Sequence, residues 1–356
     1  MRQIPLGKPT HRRMSMSKKK AVIFGVTGQD GSYLAEYLLD LGYDVYGVIR
    51  RVSVPNTHRL EEANLMNRIQ VVSGDVTDAT SVNRIISQLK PDEVYNFAAV
   101  SHVGISFTEP ASTFQATAVG CLNCLEAIKT NSPNTRYFYA GSSEQYGDQQ
   151  DADGHQRITT AFNPRSPYAV AKTSAFFLTK VYREGYGLYA CSAIAFNHES
   201  PRRGLNFVTR KITDYVGKLV HNLNKGEPVQ RLKLGNLNAK RDWSHAKDFV
   251  RGFHMMLQQD KAEDYVFSSM ETHSIREFLD AAFDEASKHL DDKDCPLNWD
   301  AFVEIDPQFM RPLEVPHLLG DSVYTREKLG WKPEISFTEL VSDMVKTDYE
   351  IAKRGG

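Results

Sequence analysis

Ala21-Val-Ile-Phe-Gly-Val-Thr-Gly-Gln-Asp-Gly31 decides how this chain folds. Residues 21–24 are an uninterrupted apolar run that reads as a buried strand. Gly25 then allows a tight turn, Gly28 lets backbone approach a pyrophosphate, and Gly31 lets a helix pack close with its N-terminus facing the anion. Residues 33–40 carry helical apolar spacing, and 43–49 read as a second strand. Strand, turn, helix, strand is the opening of a doubly wound nucleotide-binding sheet.

Further strand-like runs at 70–72, 93–97, 137–139 and 189–195 alternate with helical stretches, which predicts a parallel sheet. Past Asn197 the pattern is less regular, broken by Pro201, Pro228, Pro296, Pro307, Pro312 and Pro316. The expected architecture is α/β, a Rossmann-type doubly wound parallel sheet with a smaller, discontinuous C-terminal substrate-binding subdomain. Residues 21–197 with about 235–268 are assigned to the cofactor-binding domain, and about 198–234 with 269–350 to the substrate-binding subdomain. A chain of 356 residues is long enough for both.

The net charge of -1 hides an asymmetry. Residues 1–20 hold seven Lys and Arg and no acid, leaving 36 basic against 44 acidic residues in the remainder. Pro5, Gly7 and Pro9 interrupt the amphipathic helix a transit peptide needs, and no apolar run forms a signal peptide. The segment reads as a disordered extension rather than a nucleic-acid arm. No stretch approaches the roughly 20 apolar residues of a membrane span. Four cysteines (Cys121, Cys124, Cys191 and Cys295) do not make a disulfide framework in so long a chain. A reducing, cytoplasmic setting is expected. Cys121-Leu-Asn-Cys124 has metal or redox spacing but lacks a second ligand pair, so it is read as helix packing and no metal site is predicted.

Three groups of residues carry the chemistry. In Asn163-Pro-Arg-Ser-Pro-Tyr-Ala-Val-Ala-Lys172, Tyr168 and Lys172 stand four residues apart on one helix face. An ammonium near a phenol favours the phenolate, which accepts a hydroxyl proton. Arg50-Arg51 follows the second strand, where a carboxylate would repel a 2'-phosphate and guanidinium groups bind it. NADP is therefore the expected cofactor. Ala140-Gly-Ser-Ser-Glu-Gln-Tyr-Gly147 places a hydroxyl, Ser142, two residues before a carboxylate, Glu144. Glu144, expected on the same face of a strand end, is a second base that oxidation or epimerisation alone does not need.

The glycine loop and the Tyr168/Lys172 pair together resemble the extended short-chain dehydrogenase/reductase family. Phe196-Asn-His-Glu-Ser-Pro-Arg-Arg-Gly204, Phe207-Val-Thr-Arg-Lys-Ile212, Lys240-Arg-Asp-Trp-Ser-His-Ala-Lys-Asp248, Arg311-Pro-Leu-Glu-Val315 and Leu329-Gly-Trp-Lys-Pro333 narrow the resemblance. They are similar to the GDP-mannose 4,6-dehydratase family, from Ala21 almost to the C-terminus. The resemblance implies Ser142 (where threonine is usual), Glu144 and Tyr168 as catalytic groups, with Lys172 supporting Tyr168. It implies cofactor contacts from Gly25, Thr27, Gly28, Gln29, Asp30, Gly31, Asp75, Val76, Ala98, Ala99, Ser101, His198 and Arg203, beside Arg50, Tyr168 and Lys172. Ser142, Asn197, Lys211, Arg241, Arg311 and Glu314 are the implied contacts to the GDP-sugar.

The implied reaction is an internal redox cycle on GDP-mannose with no net change in NADPH. C4 is oxidised, water is lost across C5 and C6, and the hydride returns to C6. A homo-oligomer, dimer or tetramer, is also implied, with the loop 52–59 reaching a neighbouring subunit. Val100 and Ser112 depart from the family's usual glutamine and tyrosine, which keeps a related GDP-sugar such as GDP-manno-heptose in view as substrate. Two further alternatives are a nucleotide-sugar 4-epimerase and a catalytically silent NADP- or nucleotide-sugar-binding regulatory protein. Intact Glu144 speaks against the epimerase, and intact Ser142, Glu144, Tyr168 and Lys172 speak against the silent binding protein.

Overall fold

Ala21 and Ile23 pack to one side of their strand and Val22 and Phe24 to the other, and all four are sealed from solvent. A strand buried on both faces needs helices on both faces, which is what the rest of the domain supplies. The computed structural model describes residues 18–292, 296–309, 315 and 317–355. Arg311, Glu314 and Cys295, and all but the last three residues of the basic tail, lie outside them. Of those three, Lys20 already belongs to the first strand.

The central sheet has seven strands: β1 (Lys20–Phe24), β2 (Asp44–Ile49), β3 (Gln70–Ser73), β4 (Glu93–Asn96), β5 (Arg136–Ala140), β6 (Ala190–Ala195) and β7 (Tyr265–Phe267). Their order is β7-β6-β5-β4-β1-β2-β3, and every pairing is parallel. Strand order reverses between β1 and β4, so a crevice opens at their C-terminal ends, next to the glycine loop. Helices α1 (Gln29–Asp40), α2 (Ala79–Leu89), α3 (Gly120–Asn131), α4 (Pro167–Tyr186), α5 (Val208–Asn224), α6 (Ala246–Met256), α7 (Ile275–Ser287) and α8 (Phe337–Lys353) complete the main architecture. One face of the sheet packs on α1 and α6 through Leu34, Leu38, Phe249 and Phe253. The other packs on α2, α3 and α4 through Ile85, Leu125, Ile128 and Ala175. Cys121 and Cys124 are buried in that second layer as free thiols, pushed up by burial, so the helix-packing reading of their spacing holds.

A separate apolar cluster joins α5, α7 and α8, with Val216, Phe278, Phe283, Leu340 and Met344 at its centre. Arg210 on α5 and Asp348 on α8 form a bidentate ion pair there, reinforced by the Thr213 hydroxyl at 2.7 Å from Asp348 Oδ2. Trp331 fixes the approach to α8. Its ring meets Phe267 at 4.8 Å and Phe249 at 5.7 Å between centroids, and its indole N–H donates to the Asp248 carbonyl at 2.7 Å. Trp331 is only 1% exposed, so Trp331→Ala is expected to cost about 3–5 kcal/mol. Denaturant unfolding of the variant beside the parent measures this loss.

Candidate active site

The glycine loop is built as its spacing predicts. Gly25 sits at φ +82°, and a side chain at Gly31 would bring its Cβ to 2.3 Å from the Gly25 carbonyl oxygen. Nothing larger than glycine lets α1 start there. Gly28 is the N-cap of α1, and its N–H closes the turn on Gly25 O at 3.0 Å. The unpaired N–H groups of the first helical turn and the closely folded loop are the donor set that suits a dinucleotide pyrophosphate. At the ends of the neighbouring strands, Arg50 is exposed, Asp75 accepts from the Thr77 N–H and hydroxyl, and Val76 is buried against Gly120.

Below the loop lies a cavity of about 700 Å³. It brings Asp30, Ala99, Ser101, Ser142, Glu144, Tyr168, Lys172, Asn197, His198, Arg203, Lys211 and Arg241 together, although they span more than half the sequence. Ala98 stands beside this wall, its N–H held by Asn96 Oδ1 at 3.1 Å. Asn96 itself is buried and donates to Tyr137. Val100 and Ser112, the two departures noted in the sequence, do not line the cavity.

Two expectations need correction. The strand β5 ends at Ala140, so Ser142 and Glu144 share a wall by a different route. Ser142 caps a 3₁₀ turn over Ser143–Gln145, with the Glu144 N–H on its hydroxyl at 3.3 Å and its own N–H on Gln145 Oε1 at 2.9 Å. This capping box aims both side chains into the cavity. Glu144 lies near enough to Tyr168 that its charge acts on the phenol.

The second correction concerns Tyr168. Burial pushes its hydroxyl up to about 12, and the hydrogen bond from Ser142 opposes this only in part. Lys172 does not hold the phenolate in this state, because its Nζ is 5.7 Å from the Tyr168 ring centroid and donates instead to the Ala140 carbonyl at 2.5 Å. Burial also brings the Lys172 ammonium down to about 8. At neutral pH, then, Lys172 is largely charged and Tyr168 is a phenol.

The cavity is ringed by cations in polar or aromatic settings. Arg203 pairs with Glu199 at 3.0 Å and stacks 3.6 Å from the centre of the Phe207 ring. Lys211 donates to the Lys233 carbonyl at 2.7 Å and sits 3.8 Å from the Phe309 ring centre, and Arg241 donates to the Lys240 carbonyl at 2.8 Å. Such a ring suits a diphosphate.

The family model described as GDP-mannose 4,6 dehydratase matches residues 22–344. The chain belongs to the GDP-mannose 4,6-dehydratase family. It is 46% identical over 347 residues to GDP-mannose 4,6 dehydratase 1 of Arabidopsis thaliana, covering 95% of this chain and 91% of that one. It is 45% identical over 362 residues to the GDP-mannose 4,6-dehydratase of Vibrio cholerae, covering 95% of each. The fold matches that of DesIV, a dTDP-glucose 4,6-dehydratase of Streptomyces venezuelae solved with NAD, with a TM-score of 0.79 at 22% identity over 93% of this chain and 97% of that one.

Several wall residues of this dehydratase-family cavity escaped the sequence reading: Asn206, Phe207, Asn236, Trp243, Gln308 and Phe309. Phe207 and Trp243 sat inside quoted motifs and were legible there, whereas Asn236 lies in a loop and Phe309 on a 3₁₀ turn, neither with a spacing signal.

His198 and Asp30 form an ion pair at the cavity wall. His198 Nε2 lies 3.0 Å from Asp30 Oδ2 and Nδ1 lies 2.7 Å from the Phe196 carbonyl. Both partners are acceptors, so both ring nitrogens carry hydrogen and the ring is an imidazolium. Burial opposes each charge, but mutual attraction prevails, lowering Asp30 to about 2 and raising His198. The Asp30 contribution to stability is present above the unfolded carboxylate value near 3.8 and is lost as pH falls towards about 2. The His198 contribution is present below the unfolded value near 6.5 and is lost as pH rises through its raised value. The melting-temperature gap between the parent and Asp30→Asn is therefore expected to be widest between about pH 4 and 6.5 and to narrow on either side, as a pH series of thermal melts will show.

Proposed function

We propose that this protein converts GDP-D-mannose to GDP-4-dehydro-6-deoxy-D-mannose by oxidation at C4, loss of water across C5 and C6, and reduction at C6. The observation that carries this reading is the convergence of Glu144 with Ser142, Tyr168 and Lys172 on one cavity wall. An epimerase has no step for a second base, and a binding protein has no use for any of them.

The glycine turn and the helix N-terminus behind it fit a nicotinamide dinucleotide, held by Gly25, Thr27, Gly28 and Gly31, with Arg50 beside the ribose and Asp75 on the adenine side. When bound, the oxidised nicotinamide supplies a positive charge that favours the Tyr168 phenolate, and it takes up and returns one hydride. Tyr168 accepts the C4 hydroxyl proton, with Ser142 holding that hydroxyl and Lys172 keeping the α4 face in place. Once C4 is a ketone, the C5 proton is acidic because its carbanion is an enolate, and Glu144 removes it. The departing C6 hydroxyl needs a proton, which Glu144 or Tyr168 supplies, directly or through Ser142. Asn197, Lys211 and Arg241, with Arg311 and Glu314, hold the GDP-sugar.

NADP rather than NAD is the proposed cofactor, since exposed guanidinium groups at Arg50 and Arg51 attract a 2'-phosphate. The lobe assignment of the sequence reading is supported by the independent apolar cluster of α5, α7 and α8. A homo-oligomer, dimer or tetramer, is supported by an apolar groove along Phe114, Leu122, Phe177 and Val181, where Phe177 and Val181 are half exposed on α4. Arg59, at the end of the loop proposed to meet a neighbour, bonds within its own chain to Thr27 and Arg202. A cytoplasmic setting accords with the three free buried thiols, and among the described residues no helix is long and apolar enough to cross a membrane.

Incubation with NADP+ and GDP-mannose, followed by mass spectrometry of the nucleotide sugar, is expected to show loss of one water without accumulated NADPH. An unchanged mass would refute the reading, and GDP-manno-heptose in the same assay identifies the related substrate. Glu144→Gln should still oxidise C4 and then stall, cutting turnover about 10²–10⁴-fold and leaving the reduced cofactor visible by absorbance. Normal turnover by that variant would remove Glu144 from the mechanism. Arg50→Ala is expected to weaken NADP+ binding about tenfold to a hundredfold with little effect on NAD+, measured by calorimetric titration.

A further inference from the structure

The internal cycle proposed above, on which this inference rests, works only if the reduced cofactor stays in place until its hydride returns. Release after the first half-reaction would strand an oxidised sugar. The segment following β6 is fastened to the glycine loop in a way that meets this demand.

Gln29, 7% exposed, is gripped at both ends of its amide: Nε2 donates to the His198 carbonyl at 3.0 Å, and Oε1 accepts from the Ser200 hydroxyl at 2.7 Å. Asp30 receives the His198 imidazolium on one carboxylate oxygen and Gln29 Nε2, at 3.0 Å, on the other. Two residues further along the segment, Arg202 reaches the outer face of α1. Its guanidinium pairs with Glu36 at 2.8 Å and stacks 3.9 Å from the Tyr33 ring centre. These contacts tie residues from before and after β6 across more than 160 positions of sequence. Asp30 and His198 face the cavity itself.

We propose that residues 198–202 form a clasp on the glycine loop that slows cofactor release, so that both hydride transfers occur on one bound molecule. Moving the loop away from this segment would strip partners from a buried amide and a part-buried ion pair together, leaving polar groups without their partners. Such a penalty falls on the opening step and so on the off-rate. Gln29, Asp30, His198 and Ser200 act here as positioning residues. None of them needs to touch the reacting carbons.

The test uses the full-length protein loaded with NADPH and chased with excess NADP+, following the fall of NADPH fluorescence. Asp30→Asn and Ser200→Ala are each expected to speed release about tenfold or more, the loss of one buried hydrogen bond to a charged or fully used group. During turnover with GDP-mannose, both should also leak NADPH into solution, trapped by an NADPH-oxidising coupling enzyme. Unchanged release in both variants, with parent-like circular dichroism, would overturn the clasp while leaving the dehydratase reading intact. Loss of the fold in either variant would assign these contacts to stability instead and overturn it as well. Failure of the unaltered protein to bind NADPH would remove the cofactor reading and the clasp with it.

Discussion

Lys172 is held at the end of β5 by a single hydrogen bond to the Ala140 carbonyl, and the geometry of the site depends on it. That bond ties α4, which carries Tyr168, to the strand whose next residues are Gly141, Ser142 and Glu144. The ammonium also lies 5.1 Å from the buried Tyr139 ring centre, so it is enclosed by aromatic faces on its strand side. A slip of α4 by one residue would turn both Tyr168 and Lys172 off the cavity. Because the bond joins a charged donor to a carbonyl in a dry place, such a slip would leave a buried ammonium without its partner. Lys172 therefore acts first as a fastener, and its electrostatic influence on Tyr168 is secondary in this state.

Burial is the largest electrostatic influence on Tyr168, Lys172, Asp30 and His198, and it acts against the charged form of each. It raises Tyr168 and lowers Lys172. Where a counter-charge sits within hydrogen-bonding distance, as for Asp30 and His198, attraction wins. Where it does not, as for Tyr168, burial wins. The contrast explains why spacing alone misjudged the tyrosine. Two residues on one helix face are neighbours, but a lysine side chain is long enough to place its charge beside a different partner.

Much of the fold was legible because its signals are local. The apolar run of 21–24, the three glycines behind it and the later strand runs reflect sterics and burial, and all seven sheet strands except the short β7 were readable from them. The substrate side resists such reading. Its cluster of α5, α7 and α8 collects helices from three separated stretches, and Trp331 docks on the first domain from a loop, so no local period announces either. Glu144 was expected at a strand end and lies instead on a 3₁₀ turn. Gly141 explains the error: a side chain there would place its Cβ 2.5 Å from the Ala193 carbonyl, so the strand ends in a tight bend that a run of small polar residues does not advertise.

The chain shares its fold with DesIV at 22% identity and shares 46% with a plant relative that bears the family's name, so the scaffold persists where most of the sequence does not. The sheet, the glycine turn and the placement of a Tyr/Lys helix against β5 are scaffold, compatible with several reactions at C4 of a nucleotide sugar. What separates dehydration from simple oxidation or epimerisation is a base for C5, the role proposed for Glu144 on the 3₁₀ turn. Its capping box holds the turn through the Ser142 hydroxyl and the Gln145 side chain, while Glu144 lines the cavity beside Tyr168. The turn therefore sets a carboxylate in the cavity that also holds Tyr168, which is the placement the proposed elimination step requires.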